Sequence, residues 1–361
     1  MHNQTCPTVL VTGATGFIGR ALVSRLSNRV CVRAAVRRET ALACETFKVG
    51  EVHGTTNWGR ALRGVDVVVH LAAYAHVMNP KKVDLGVLRR TNVEGTANLA
   101  RQAAQSGVKH FVFLSSIGAV ADSSESIVSA TTPCLPTTPY GKSKLLAENA
   151  LKDAADGLDM EWTIIRPPLV YGPGNPGNME RLLKLIRSGV PLPLGSVRNR
   201  RSFIYVENMV DLISKCLGNA NAVGKVYLPS DGEDVSTPEL IRAIVRANVG
   251  VEQGAGSTEH GAWSMEQGVR EATSTASGNS PATSYHLPAT PREARLFPFP
   301  PSLLKAAGRL PGLGALHKLT SSLYVDSGQI RRDLGWTPPF SMEEGLRRTL
   351  GGPLAKPKKI D

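Results

Sequence analysis

No run in this 361-residue chain approaches the ~20 consecutive apolar residues that span a bilayer, so no integral membrane segment is expected. Met1 to Thr8 lacks a basic stretch leading into an apolar one. No secretory signal is read there, and a cytoplasmic location is expected. The five cysteines, Cys6, Cys31, Cys44, Cys134 and Cys216, are scattered and never form CxxC. They read as free thiols in a reducing compartment, and no metal site is expected. Zinc-finger, homeodomain and basic-zipper spacings are also missing, which removes nucleic acid as the expected partner.

Positive charge is in excess. There are 42 Lys and Arg against 30 Asp and Glu, a formal net charge of +12. The basic residues are spread, with small clusters at Arg37-Arg38, Arg198 to Arg201, Arg331-Arg332 and Lys356 to Lys359. With nucleic acid set aside, such a balance suits an anionic surface or anionic small molecules such as diphosphate esters.

Hydrophobic residues make up 42% of the chain, enough for a sizeable core. Thr8 to Thr12 is a short β-branched apolar run, and Phe17 to Leu26 is helical in pattern. Val30 to Val36, Val65 to Leu71, Phe111 to Ser115 and Trp162 to Ile165 read as further strands. Helical patterns fall at Leu88 to Ser106 and at Tyr140 to Asp153, the latter with Leu145, Leu146, Ala150 and Leu151 at helical spacing. Strands alternating with helices predict an α/β fold: a Rossmann-type doubly wound parallel sheet with right-handed crossovers and a smaller C-terminal substrate-binding lobe. The expected division is a core over 1–170, with later segments returning to it, and a lobe over 171–249 and 293–350. Residues 250–292, rich in Gly, Ser, Thr and Ala, read as a disordered or lid-like insertion, and 351–361 as a basic tail. Leu296 to Leu319 is apolar, basic and interrupted by proline. It reads as a helical part of the lobe, with a surface-lying membrane anchor as the lesser alternative.

Gly13, Gly16 and Gly19 form GATGFIG directly after the first strand. Glycines at this spacing allow a tight turn, close approach of the backbone to a pyrophosphate, and close helix–strand packing. The helix that follows offers free N–H groups and a positive dipole end to the same anion. The second strand ends Val36-Arg37-Arg38 with no acidic residue before Glu39. An acid there would hold a ribose 2′-hydroxyl, whereas Arg accommodates a 2′-phosphate. NADP is therefore the favoured cofactor, with NAD as the alternative.

Tyr140 and Lys144 form YxxxK, which puts both on one face of a helix. A phenol of pKa ~10 is a poor base at neutral pH. A neighbouring ammonium is expected to lower it by favouring the phenolate. A Ser hydroxyl at the end of the preceding strand can bond the reacting oxygen.

In this order of elements the chain closely resembles the extended short-chain dehydrogenases/reductases, in their NAD-dependent nucleotide-sugar epimerase/dehydratase branch. The matching pieces are VTGATGFIG (11–19), DVVVHLAA (66–73), TNVEGTANLA (91–100), FVFLSS (111–116), YGKSK (140–144), RPPLVYGPG (166–174), RSFIYVENMVDLI (201–213) and LGWTPPFSMEEGL (334–346). The resemblance implies Tyr140 as acid/base, Lys144 as its partner and a ribose ligand, and Ser116, rather than Ser115, as the catalytic serine. It implies cofactor contacts from Gly13, Thr15, Gly16, Phe17, Ile18 and Gly19, from Arg37, from Leu71, Ala72 and Ala73, and from Pro167 to Val170. Asn92 would be structural or lie beside the cofactor. Asn178 and Arg201 would bind substrate, Arg201 gripping a diphosphate. A homodimer through the 88–106 and 140–153 helices is also implied.

The chain departs from the family pattern at IGAVAD after Ser116, at Tyr324 where a second phosphate-binding Arg would stand, and at Asn208, which keeps a steroid-type dehydrogenase open. The activity implied is redox chemistry on a UDP-linked sugar in surface-polysaccharide synthesis. The first expectation is 4-keto reduction of a UDP-2-acetamido-2,6-dideoxy-4-hexulose, and the second is 4-epimerisation. Ile117 and Gly118 after Ser116 supply no acid to expel a 6-hydroxyl, which argues against a 4,6-dehydratase. From a different class, a non-catalytic NAD(P)-binding scaffold is opposed by the presence of Ser116, Tyr140 and Lys144 together.

Overall fold

The computed structural model describes residues 6–75, 84–175, 177–256, 295–307 and 314–351. Seven strands form one sheet: β1 (Thr8–Thr12), β2 (Cys31–Val36), β3 (Glu45–Lys48), β4 (Val67–His70), β5 (His110–Leu114), β6 (Glu161–Ile165) and β9 (Lys225–Tyr227). All neighbours are parallel, in the order β3-β2-β1-β4-β5-β6-β9. β7 (Leu169–Tyr171), β8 (Arg201–Tyr205) and β10 (Asp234–Val235) make a second, three-stranded sheet. Strand order reverses between β1 and β4, which opens a crevice at their C-terminal ends, where ligands bind in sheets of this kind.

The helices are α1 (Phe17–Leu26), α2 (Gly59–Leu62), α3 (Leu85–Leu88), α4 (Gly95–Gln105), α5 (Pro139–Ala155), α6 (Asn178–Arg187), α7 (Val206–Cys216), α8 (Thr237–Gly256), α9 (Pro301–Ala307), α10 (Gly314–Thr320), α11 (Gly328–Leu334) and α12 (Met342–Thr349). One face of the large sheet is covered by Leu22, Val23 and Leu26 of α1 together with Met209, Val210 and Ile213 of α7. Leu99, Ala100 and Ala103 of α4 cover the other face, with Ala147 and Leu151 of α5. A separate core joins α6, α8, α9 and α12 to the small sheet and forms the C-terminal lobe. Among the described residues no helix is long and apolar enough to cross a membrane, and no His/Cys/Asp/Glu cluster could hold a metal ion.

Three details depart from the sequence reading. The 88–106 helix is not uniform: α3 passes through a π-helical turn over Arg89–Glu94 before α4 begins. The inward stripe of α5 is Lys144, Ala147, Glu148, Leu151 and Ala155. Leu146 points outward at 54% exposure. Of the apolar positions read there, Leu151 is buried and Leu145 and Ala150 are half-buried, and the rest of the inward stripe was missed because two charged residues occupy it. Thirdly, α8 continues through Gly256, past the expected start of the 250–292 insertion. Residues 257–292 of that insertion, and 352–361 of the tail, lie outside the described residues.

Candidate active site

The turn after β1 is closed by its glycines. Gly13 has φ +68°, and a Cβ there would stand 2.8 Å from the Ala72 nitrogen and 2.9 Å from the Leu71 carbonyl carbon. A Cβ on Gly19 would collide with the Gly13 carbonyl oxygen. The backbone can thus pass close to Leu71, Ala72 and Ala73 at the end of β4, and Gly16 leads directly into α1. Thr15 and Gly16 are exposed, while Phe17 and Ile18 are half-buried. This cradle and the free N–H groups of the first turn of α1 fit a dinucleotide pyrophosphate. Past the end of β2, a cavity of about 550 Å³ is lined by Val36, Glu39, Thr40, Ala41, Thr46 and Lys48. Arg37 and Arg38 follow Val36 directly and are exposed.

Beneath the crevice lies an uncharged relay. His70 is fully buried, with Nδ1 2.6 Å from Thr12 Oγ1 and Nε2 3.0 Å from Thr96 Oγ1. The Thr96 hydroxyl donates to the Asn92 carbonyl, and Thr12 Oγ1 accepts from the Ala72 N–H. These roles assign the proton to Nε2 and leave Nδ1 as acceptor. Burial, reinforced by Lys144, drives the imidazole pKa down to about 3. Asn92 accepts from the Tyr74 N–H and donates to the Tyr74 carbonyl and to Ser143 Oγ, bracing the loop after β4 against α5. It sits in the π-helical turn, a feature often found at functional sites.

Ser116, Tyr140 and Lys144 gather at the C-terminal end of β5. Ser116 caps a short 3-10 turn by accepting from the Gly118 N–H at 3.1 Å. A Cβ on Gly141 would collide with the Gly118 carbonyl, so Gly141 lets the first turn of α5 press on the turn bearing Ser116. Thr138 caps α5, and Pro139 opens it without wasting an N–H. Asp122, within IGAVAD, accepts from the Thr137 and Thr138 N–H groups and from the Thr138 hydroxyl. Burial pushes the Asp122 carboxyl up, but these bonds outweigh it and hold the carboxyl below the usual range.

Lys144 Nζ donates to the Leu114 carbonyl at 2.7 Å and lies 4.1 Å from the Phe113 ring centre. Burial lowers the amine to about 7, with Glu148 opposing the shift. Burial also raises the Tyr140 phenol to about 12. This corrects the expectation of a depressed phenol: desolvation favours its neutral form. Ser115 is buried and donates to Glu148, which leaves Ser116 as the half-buried serine of the pair. Pro167 is buried and its carbonyl accepts from the Ile117 N–H at 2.9 Å, placing the stretch to Val170 beside the same turn.

In the lobe, Arg201 opens β8. Its Nη1 donates to the Lys318 carbonyl at 3.0 Å and to the Ser321 carbonyl at 3.1 Å. Burial pulls its pKa below the usual guanidinium value. Asn178 is exposed at the start of α6. Asn208 is fully buried: its amide donates to Asp231 and to the Phe340 carbonyl, and its oxygen accepts from the Phe340 N–H. It is a structural bracket, so it carries no information on substrate class. Tyr324 donates to the Glu125 carbonyl and lies under Arg200, with 4.4 Å from the guanidinium to the ring centre. Sequence reasoning missed Asp122, His70 and the pair Glu148–Arg166. The available signal was charge on buried stripes, as at Glu148, four residues after Lys144.

The model of the NAD dependent epimerase/dehydratase family matches residues 9–228. Over 353 residues the chain is 35% identical to a UDP-glucose 4-epimerase of Vibrio cholerae, covering 95% of this chain and 94% of the relative. Over 239 residues it is 32% identical to the N-acetyl-alpha-D-glucosaminyl-diphospho-ditrans,octacis-undecaprenol 4-epimerase of Escherichia coli O157:H7, covering 65% and 71%. Among solved structures, MoeE5 in complex with UDP-glucuronic acid and NAD is 26% identical, with a TM-score of 0.64 over 95% of this chain and 97% of that one. The chain is an enzyme of the NAD-dependent epimerase/dehydratase family, of the extended short-chain dehydrogenase/reductase type.

Proposed function

We propose that the chain is a 4-epimerase of a nucleoside-diphosphate sugar, with UDP as the nucleotide. The observation that supports this reading is that Lys144 of α5 reaches the Leu114 carbonyl at the end of β5, beside Ser116, with Tyr140 one turn earlier on the same helix. Bound nicotinamide would supply reversible uptake and return of a hydride. Gly13, Gly16 and Gly19 would hold its pyrophosphate and Lys144 its ribose. Tyr140 takes the proton from the sugar 4-hydroxyl and later returns it, and the Ser116 hydroxyl bonds the reacting oxygen. Lys144 must be charged to favour the phenolate, and Glu148 works toward that charge against burial.

Reduction of a 4-keto sugar uses the same groups. Two relatives named as 4-epimerases favour epimerisation over it. UDP is supported by MoeE5, whose structure holds UDP-glucuronic acid, and by the V. cholerae relative's name. The E. coli relative's name shares the sugar–diphosphate part on a polyprenol. Arg201, with Asn178, would hold the substrate. Exposed Arg37 and Arg38 support NADP over NAD, although MoeE5 was solved with NAD. A homodimer through α4 and α5 would cover outward-facing Leu146. Incubation with UDP-sugars and each cofactor, with product analysis, tests the assignment.

A further inference from the structure

We propose that the C-terminal lobe docks on a bilayer surface bearing anionic phospholipid headgroups. The observation is an apolar and basic surface that the active site does not use. Residues 295–299 lie alongside 192–195: Leu192 N–H donates to the Arg295 carbonyl at 2.8 Å, Phe297 N–H to the Leu192 carbonyl at 3.1 Å, and Gly195 N–H to the Phe297 carbonyl at 3.0 Å. Along this segment Leu296 and Phe299 pack into the lobe core, whereas Phe297 turns out at 41% exposure. In α9, Leu304 is buried in that core and its neighbour Leu303 is 55% exposed. Val190, just past α6, is 56% exposed. Phe297 and Leu303 each have an inward neighbour, Leu296 and Leu304, in the same core, so neither is needed to fill it.

Cations outnumber acids around them. Residues 178–200 and 295–307 contain seven Lys or Arg and one acid, Glu180, and one of the seven, Arg200, is paired with Asp234 at 3.1 Å. Lys184 and Arg295 are exposed, and Glu180 is engaged by Lys184 at 2.7 Å. Single bulky apolar side chains among cations suit the interface of a charged bilayer, where tips insert between headgroups and cations stay above. A protein partner would call for a more continuous, complementary patch. The attachment proposed is peripheral and reversible. The proposal does not depend on which sugar is turned over.

Vesicle co-sedimentation of the full chain tests it, with phosphatidylcholine alone and phosphatidylcholine mixed with phosphatidylglycerol. Binding is expected to the anionic vesicles only, weakening with salt as the screening length falls from ~10 Å at 0.1 M to ~3 Å at 1 M. The combined variant Val190→Ser, Phe297→Ser, Leu303→Ser should bind roughly tenfold more weakly or worse. Arg295→Glu should weaken binding without altering the apolar tips. Thermal unfolding midpoints matching the parent establish that both variants are folded. Absence of binding to anionic vesicles, or folded variants that bind as tightly as the parent, would overturn the proposal.

Discussion

Glu148 and Arg166 form an ion pair sealed inside the protein, with Arg166 Nη2 2.6 Å from Glu148 Oε2 and Nε 3.0 Å from Oε1. Glu148 sits one helical turn beyond Lys144 and also accepts from Ser115, the neighbour of Ser116. One carboxylate therefore ties α5 to the ends of β5 and β6, and its charge reaches the active-site amine.

Removing that carboxylate should have two separable effects. Glu148→Ala leaves the Arg166 charge buried and unpaired, a loss of about 3–5 kcal/mol in urea unfolding. Glu148→Gln keeps the shape but not the charge. Because Glu148 raises the Lys144 pKa against burial, that pKa should fall below about 7 in the variant. The alkaline limb of the kcat/KM profile should then move to lower pH. An unmoved limb would show that Glu148 is only structural.

Much of the frame was legible in sequence. β1 and α1 have the expected limits, because a short apolar run rich in β-branched residues and a 3.6-residue pattern flank a glycine turn. The short strands β3, β7 and β10 were not read, since two to four residues give no periodicity to detect. The face of α5 was read only in part, at Leu151, because its buried charges are satisfied by partners distant in sequence, Leu114 for Lys144 and Arg166 for Glu148. The sign of the Tyr140 shift was likewise out of reach, because desolvation depends on tertiary packing.

Arg201 offers a test of the diphosphate site. A charge-assisted bond of about 1.5–3 kcal/mol corresponds to roughly tenfold to a hundredfold in affinity. Arg201→Ala should weaken UDP binding by that factor in calorimetric titration and leave cofactor affinity unchanged. Its bonds to the Lys318 and Ser321 carbonyls also predict a lowered melting temperature, which UDP should restore less in the variant than in the parent. UDP binding equal to the parent would remove Arg201 from the site.

Cofactor choice rests on the end of β2. Arg37→Asp should level or reverse a preference for NADP, read as the ratio of dissociation constants for the two cofactors. Equal affinities in the unmutated protein would exclude the preference.

Asp231 should leave a mark on stability against pH. It is buried and accepts from the Tyr205 N–H, the Asn208 amide and the Tyr171 hydroxyl. Burial raises its carboxyl from 3.8 to about 6, in spite of those bonds. The folded state then holds the proton more tightly, so this stabilisation is complete at low pH and is lost as pH rises through about 6. Asp231→Asn does not titrate, and its amide faces donors, which costs about 1 kcal/mol at any pH. The parent should lose stability relative to the variant between about pH 4 and pH 7. A parent that gains stability relative to the variant over that range would contradict the raised pKa.

The most direct test of the central claim is the fate of a UDP-hexose incubated with the protein and a catalytic amount of cofactor, followed by NMR of the sugar. The account predicts inversion at C4 with no net change in cofactor oxidation state. Tyr140→Phe should lower the rate by about 10²–10⁴-fold while UDP-sugar binding persists. Stoichiometric oxidation of reduced cofactor by a 4-keto sugar, with no inversion of the hexose, would contradict epimerisation and make the protein a reductase.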